Sequence, residues 1–343
     1  METDEKMQAI LELQKAVLEN YKNNQILNEN MCILNNTLDD VFALISQLNA
    51  VLENQKYEFL DPKIKKEDLF FPKIESEEKS IEKIINERKS MARYGDGEFS
   101  IMAKIERPKF QKVNDKLAER LKEVILTSDE RILIAIADNY GNLQKYNKLS
   151  ADSIRLYMTE DVRRQHKMYL SREKIYENAY ISRPYVIYKD NMTDAPAKRF
   201  ANLKRIWDKR NVILVEGALT RTGMGNDLLG NCKSISKILA PAVNSFDRYD
   251  DILAACKQYG KDDTLFLIAM GPSAGVLAYD LAVAGYQALD IGHLDLEYEW
   301  FLQGKGKRVP VKNKYNNELD GGDQVAELVV TEEYKNQVLA RFD

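Results

Sequence analysis

Four short apolar runs, each separated from the next by segments that include helical spacing, limit what this chain can fold into more than any other feature. They are Arg131-Ile-Leu-Ile-Ala-Ile-Ala137, Asn211-Val-Ile-Leu-Val215, Thr264-Leu-Phe-Leu-Ile-Ala-Met270 and Ala288-Leu-Asp-Ile291. Each is too short for a buried helix and lacks the alternation of a half-wet strand, so each reads as a strand buried on both faces. Ahead of the first run, Leu117, Leu121, Val124 and Ile125 share one helical face; further on, Ile252, Leu253 and Cys256 share another, and Val276, Leu277 and Leu281 a third. Strands alternating with helices of this length predict an α/β fold, a mostly parallel sheet with helices on both faces.

The first 56 residues follow a different rule. Steps of seven from Ile10 reach Val17, Asn24, Met31, Leu38, Ile45 and Leu52, and the interleaved positions are Leu13, Asn20, Leu27, Leu34, Val41 and Leu48. This is the a/d seam of a coiled coil, interrupted only by two asparagines of the kind that fix register at some cost in stability. Leucine dominates the d positions, which favours a parallel dimer, while the mixed a positions leave a trimer or tetramer open. The alternative is a single amphipathic helix folded back on its own domain. From Tyr57 to about residue 79, Asp61-Pro62 and Phe71-Pro72 among many charges suit an extended connector. The expected organisation is therefore a coiled coil over 1–56, a linker over 57–79 and a catalytic domain over 80–343.

Charge and cysteine usage narrow the partners. With 50 basic and 54 acidic residues the net charge is only -4, so no global field favours nucleic acid or an anionic membrane. The 3 cysteines have no short spacing and an odd total, which fits a reducing, cytoplasmic setting. With 2 histidines and no C-x-x-C, a metal would be hard and oxygen-bound, Mg²⁺ or Mn²⁺. No stretch reaches the ~18 apolar residues that span a bilayer, so membrane contact is expected to be peripheral at most.

Ligands of open α/β sheets gather beyond the carboxyl ends of the strands. In Arg93-Tyr-Gly-Asp-Gly-Glu-Phe99 an apolar stretch runs into Asp96 and Glu98, each preceded by glycine. If Gly95 and Gly97 take positive φ, the backbone there can approach a bulky anion, and a cation between the two carboxylates would relieve their repulsion and grip a diphosphate. Arg93 would then meet the remaining phosphate charge. A plain surface turn is the competing reading.

Glu216-Gly-Ala-Leu-Thr-Arg-Thr-Gly-Met-Gly-Asn-Asp-Leu228 offers Arg221, Asn226, Asp227 and free amides beside an expected helix start, suited to phosphate or ribose oxygens; alternatively Asn226 or Asp227 merely caps that helix. Gly271-Pro272 joins a strand to a helix and can face a phosphate or simply make a tight turn. In Gly292-His-Leu-Asp-Leu-Glu-Tyr-Glu299, His293 and Glu297 share a helical face, and His293 could ligate a metal, touch a diphosphate or be structural. Arg183, ahead of Pro184, is a further lining candidate. The basic stretch from Arg163 to Lys174 is interspersed with acids and reads as a solvated face, with a phosphate-bearing acceptor as the other option.

Taken in order, Arg93-Tyr-Gly-Asp-Gly-Glu-Phe99, Ile181-Ser-Arg-Pro-Tyr185, Val215-Glu-Gly with Arg221-Thr-Gly-Met-Gly-Asn-Asp-Leu228, Gly271-Pro272 and Asp290-Ile-Gly-His-Leu-Asp-Leu-Glu297 resemble one family, the bacterial GT-D-fold glycosyltransferases. The likeness runs from about residue 80 to 312 and leaves out the coiled coil. The resemblance implies a Rossmann-like sheet of GT-D type on which Asp96 and Glu98 hold Mn²⁺ or Mg²⁺ against the diphosphate of a UDP-sugar, with glucose or galactose as the hexose. It also implies a glycan or lipid-linked glycan acceptor in surface polysaccharide or glycoprotein assembly. Arg93, Tyr94, Gly95, Arg183, Arg221, Asn226, Asp227, Gly271 and His293 are then expected around the nucleotide-sugar. Inverting transfer needs a base for the acceptor hydroxyl, and chemical logic puts Glu297 in that role. A metal-dependent phosphohydrolase or nucleotidyltransferase uses similar residues, and a non-catalytic coiled-coil scaffold is the third reading.

Overall fold

The structure, a computed structural model, describes residues 2–60, 70–106, 111–316, 319, 322, 325 and 332–343. Asp61-Pro62 of the expected connector lies outside the described residues. The chain divides into two compact units, one ending at Lys56 and one running from Tyr57 to Asp343.

The first unit is one helix, α1 (Glu2–Gln55), 54 residues long. Its apolar seam side chains, Ile10 through Leu52, are 44–66% exposed in the single chain.

The second unit begins at Tyr57, earlier than the expected domain start at Ser80. Residues 73–86, expected partly as connector, supply an edge strand and a helix; a strand of two residues leaves no periodicity to read. Nine strands form one sheet among the described residues: β1 (Lys73–Ile74), β2 (Ser90–Tyr94), β3 (Ile132–Ile136), β4 (Ile175–Asn178), β5 (Asn211–Gly217), β6 (Ser234–Ala240), β7 (Thr264–Ala269), β8 (Gln287–Asp290) and β9 (Val338–Arg341). Their order is β1-β4-β3-β2-β8-β7-β5-β6-β9 and every pairing is parallel. The helices of this unit are α2 (Glu77–Asn86), α3 (Asp96–Met102), α4 (Asp115–Leu126), α5 (Lys148–Tyr157), α6 (Glu160–Lys167), α7 (Ala195–Lys204), α8 (Tyr249–Tyr259), α9 (Ala274–Val283), α10 (Leu294–Leu302) and α11 (Glu332–Gln337). Short polar side chains start several of them: Asn114 and Asn147 each accept an amide of the first helical turn, satisfying a donor the helix cannot.

Period-two alternation divides each central strand between two cores. Ile213, Val215, Phe266 and Ile268 pack with α4, α8 and α9, whereas Val212, Leu214, Leu265 and Leu267 pack with α2, α7 and α10. Polar strand residues are carried by buried pairs. On β4, Glu177 accepts Ser80 Oγ and Lys83 Nζ, both at 2.6 Å. On β5 and β6, Glu216 and Lys237 pair at 2.7 Å with almost no exposure.

Topology positions the site. The connection leaving β2 leads to β3 on one side, while that leaving the adjacent β8 leads towards β9 at the far edge on the other. Likewise β7 leads to β8 and its neighbour β5 to β6. The carboxyl ends of β2, β8, β7 and β5 therefore open crevices where chain direction reverses, the usual place for a ligand on such a sheet.

Candidate active site

Every motif singled out above leaves the same edge of the sheet. Arg93, the penultimate residue of β2, spans the β2–β8 crevice: its Nε donates to Asp290 O (2.9 Å), its Nη2 to Asp290 Oδ1 (2.7 Å) and its Nη1 to Ser182 Oγ (2.8 Å). The Gly292 amide adds a second bond to Asp290 Oδ1 (3.0 Å). Gly292 has a φ of 45°, and a Cβ there would stand 2.0 Å from Arg93 Nη2, so only glycine admits the guanidinium. Arg93 thus joins β2, β8 and the loop after β4.

Asp96 and Glu98 do not flank an open turn as expected. Gly95 has a φ of -115° and Asp96 already begins α3. Glu98, at the third helical position, turns back so that its Oε2 accepts the Gly95 amide at 2.7 Å. The acidic Asp-Gly-Glu is a helix start whose dipole favours carboxylates. Burial raises the Glu98 pKa, opposed by the Gly95 amide and reinforced by Asp290. Burial also raises Asp290, with Arg93 opposing. Two acidic groups thus converge under Arg93 at the head of α3. Gly97 packs towards Pro272, where an added Cβ would find the proline ring at 3.8 Å. Gly271, at a φ of 68°, opens the short turn before α9, so the head of α3 and the β7–α9 connection are neighbours.

The loop after β4 forms the facing wall. Arg183 Nη2 donates to His293 Nδ1 at 3.1 Å, and because arginine only donates, Nδ1 is the unprotonated nitrogen of that ring. Arg183 Nη1 lies 3.9 Å from Glu297 Oε1. Glu297 is 0% exposed; its Oε2 accepts the Tyr185 and Val186 amides at 3.1 and 2.8 Å, and Oε1 has no hydrogen-bond partner among the described residues. Burial raises its pKa, with Arg183 opposing. A carboxylate so enclosed braces the Arg183 loop and does not present itself to an acceptor hydroxyl.

A second cluster follows β5. No helix starts there among the described residues; turns lead directly to β6, so Asn226 and Asp227 are not helix caps. Asn226 Nδ2 donates to Asp295 Oδ1 (2.9 Å) and Glu299 Oε1 (2.6 Å), while Lys314 Nζ reaches Asp295 Oδ2 (2.5 Å) and Glu299 (2.9 Å). Arg221, 7% exposed, holds a left-handed φ of 54° and donates to Asn313 O at 2.8 Å. Such backbone strain gathers at functional positions.

Two expected residues lie elsewhere. Tyr94 points to the opposite face from Arg93, as strand alternation requires, and its hydroxyl donates to Leu121 O at 2.8 Å in the core. Asp227 is exposed on the segment returning to β6, held by Lys204 (2.9 Å) and Tyr298 (2.6 Å). Four residues to which the motif reading gave no role shape the site: Asp290, Ser182, Gly292 and Lys314. Asp290 and Gly292 were visible at the end of an apolar run; Lys314 carries no local signal.

A family model described as "Glycosyltransferase GT-D fold" matches residues 91–319, which takes in both clusters. The chain belongs to the GT-D-fold glycosyltransferase family. GT-D relatives include a probable glycosyl transferase, Gly, of Streptococcus gordonii, 33% identical over 74% of this chain and 36% of its own length. Glycosyltransferase GlyD of Streptococcus pneumoniae serotype 4 is 32% identical over 74% of this chain and 30% of its own. The chain thus spans about a third of these two relatives. Among solved structures, a glycosyltransferase (DUF1792) from Streptococcus sanguinis superposes with a TM-score of 0.74 at 31% identity, over 80% of this chain and 100% of that one. A further structure, described as a domain of unknown function 1792 with a distinct glycosyltransferase fold, gives 0.73 at 31% identity over 86% and 99%.

Proposed function

We propose that this GT-D chain transfers a hexose, glucose or galactose, from a UDP-sugar to a glycan or lipid-linked glycan acceptor of bacterial surface polysaccharide or glycoprotein assembly. The observation that carries this reading is the convergence of Glu98 and Asp290 at the β2–β8 crevice, at the head of the helix that Asp96 begins, where burial raises the pKa of both Glu98 and Asp290.

Among the described residues no three His, Cys, Asp or Glu side chains are grouped to hold a metal ion. A site of one or two carboxylates completed by phosphate and water oxygens is nonetheless the usual habit of Mg²⁺ and suits Mn²⁺, and Asp96 and Glu98 fit it. Glu98 keeps one oxygen on the Gly95 amide. A cation held there supplies Lewis-acid charge to the departing nucleoside diphosphate.

The chain's own groups do the rest. Arg93 holds Asp290 and Ser182 in place instead of reaching for phosphate directly. Arg183, with its side chain 17% exposed, adds fixed positive charge at the crevice mouth. Glu297 holds the loop that carries Arg183. Inversion by direct attack of the acceptor hydroxyl remains the stereochemical reading, without Glu297 as its base; the anomeric configuration of the product tests it.

Among the described residues no helix is long and apolar enough to cross a membrane; the site of action in this reading is cytoplasmic, with peripheral membrane contact at most. The exposed seam of α1 supports a parallel dimer through the coiled coil. A screen of UDP-sugars with Mn²⁺, scored for free UDP and for new glycoside, tests the reaction. Transfer from UDP-glucose or UDP-galactose is expected; turnover of no nucleotide-sugar would overturn the reading, and nucleotide release unaffected by any acceptor would indicate a hydrolase.

A further inference from the structure

A cavity of about 390 Å³ lies on the α2/α7 side of the sheet, outside the two clusters just described. Its walls are Glu77 and Glu78 in the first turn of α2, Tyr180 and Pro184 after β4, Tyr188, and Ala195 with Asn202 along α7. Its volume falls within the ~300–1,000 Å³ usual for small-molecule sites.

Three observations tie it to the donor crevice. α2 follows β1, and α7 runs back against the strands to β5, so the first turns of both helices stand at the carboxyl edge of the sheet, the edge occupied by Asp96. The loop forming one cavity wall is the same loop that sends Ser182 to Arg93 and Arg183 to His293. Tyr180 also feels charge on the donor side: burial pushes its phenol up to about 12, with Arg183 opposing and Asp138 and Asp96 adding to the rise.

The lining chooses the ligand class. Arg199 is neutralised by a bidentate pair with Asp190 (2.9 and 2.6 Å) and lies 4.1 Å over the Tyr188 ring. Against it, Glu77 accepts Asn178 Nδ2 at 2.8 Å, and Glu78 and Lys198 both line the cavity. With Arg199 matched by Asp190, Glu77 and Glu78 outnumber Lys198 in the lining, which gives a phosphate no net attraction. Aromatic and aliphatic walls with a few amide and carboxylate groups suit a hydroxyl-rich ring with apolar C–H faces.

We propose that this cavity is the acceptor subsite and takes an uncharged saccharide, presenting a hydroxyl past the Tyr180 loop to the sugar carbon held in the donor crevice. The inference rests on the glycosyltransferase reading. In the transfer a new glycosidic C–O bond forms as the anomeric carbon–phosphate oxygen bond breaks; the hydroxyl proton passes to solvent or a crevice group, and the leaving group is UDP.

The test fills the cavity in the full chain. Ala195→Leu and, independently, Asn202→Leu should each raise the acceptor KM by about tenfold, the equivalent of one lost side-chain contact. Donor KM and acceptor-independent UDP-sugar hydrolysis should stay within about twofold, which also shows that the variants fold. The probes are p-nitrophenyl glycosides of neutral hexoses, with glucose 6-phosphate as the charged comparison. An unchanged acceptor KM in both variants overturns the assignment, as does hydrolysis without transfer to any neutral glycoside, or preference for the phosphorylated probe. Absence of both hydrolysis and transfer in the wild type overturns the donor reading instead.

Discussion

Replacing Gly292 with alanine asks whether Arg93 is the pin of the β2–β8 crevice. At a φ of 45°, alanine incurs a left-handed penalty of about 1–2 kcal/mol. Its Cβ would stand 2.0 Å from Arg93 Nη2 and 2.8 Å from Cζ, so the guanidinium must leave. Its bonds to Asp290 and Ser182 go with it. Asp290 is only 3% exposed, and removing the partner of a buried charge typically costs about 3–5 kcal/mol, a figure that already contains the lost hydrogen bonds. Allowing for the pinned Gly292 amide that still serves Asp290, we expect a loss of about 3–6 kcal/mol. That corresponds to a fall on the order of 10 °C in Tm, measured by scanning calorimetry. Gly285→Ala is the control, because Gly285 has a φ of 92° but nothing within 4 Å of an added Cβ. It should lose only the backbone part, about 1–2 kcal/mol. If the two alanine variants melt within about 2 °C of one another, a difference under ~1 kcal/mol, Arg93 is not the pin described here.

Two further outcomes follow from buried groups and from the seam. His166 sits between the Tyr140 and Tyr157 hydroxyls (2.7 and 3.1 Å), stacked 3.7 Å from Phe99 of α3, and burial lowers its pKa to about 3. A base with a depressed folded pKa stabilises above its unfolded value and loses that contribution as pH falls, here from about 6.5 towards 3. His166→Gln should therefore be less stable than wild type at pH 7, and the gap should narrow by up to about 1.4 kcal/mol per unit on acidification, read from denaturant melts. The buried carboxylates Glu98, Asp290, Asp295 and Glu297, all raised by burial, act in the opposite direction, and cancel in that difference. In sedimentation, the full chain should run as a dimer and a chain lacking residues 2–56 as a monomer; identical stoichiometry would remove the coiled-coil reading.

What the sequence made legible follows from period. β3, β5 and β7 are largely apolar runs, β8 carries Ala288-Leu289 between Gln287 and Asp290, and α1 repeats every seven residues, so none needs a distant partner to declare itself. β4 and β6 were missed because Glu177, Asn178 and Lys237 interrupt them; their burial is paid by Ser80, Lys83 and Glu216, residues far away in the chain. The same limit applies at the site. Asp96 and Glu98 were found as a pair, yet Asp-Gly-Glu is equally a helix start, and which it is depends on whether Glu98 turns back to Gly95. The shared face of His293 and Glu297 was readable, but the enclosure of Glu297 is made by residues 185 and 186 folding over it from the loop after β4.

The central claim is that Asp96 and Glu98 hold a nucleotide diphosphate through a divalent cation. Calorimetric titration of UDP into wild type and Asp96→Asn, with Mn²⁺ and with EDTA, tests it most directly. Wild type should bind UDP at least about tenfold more tightly with Mn²⁺ than with EDTA, and Asp96→Asn should lose that gain while keeping its Tm. Equal, Mn²⁺-independent binding of UDP by the two proteins would contradict the account.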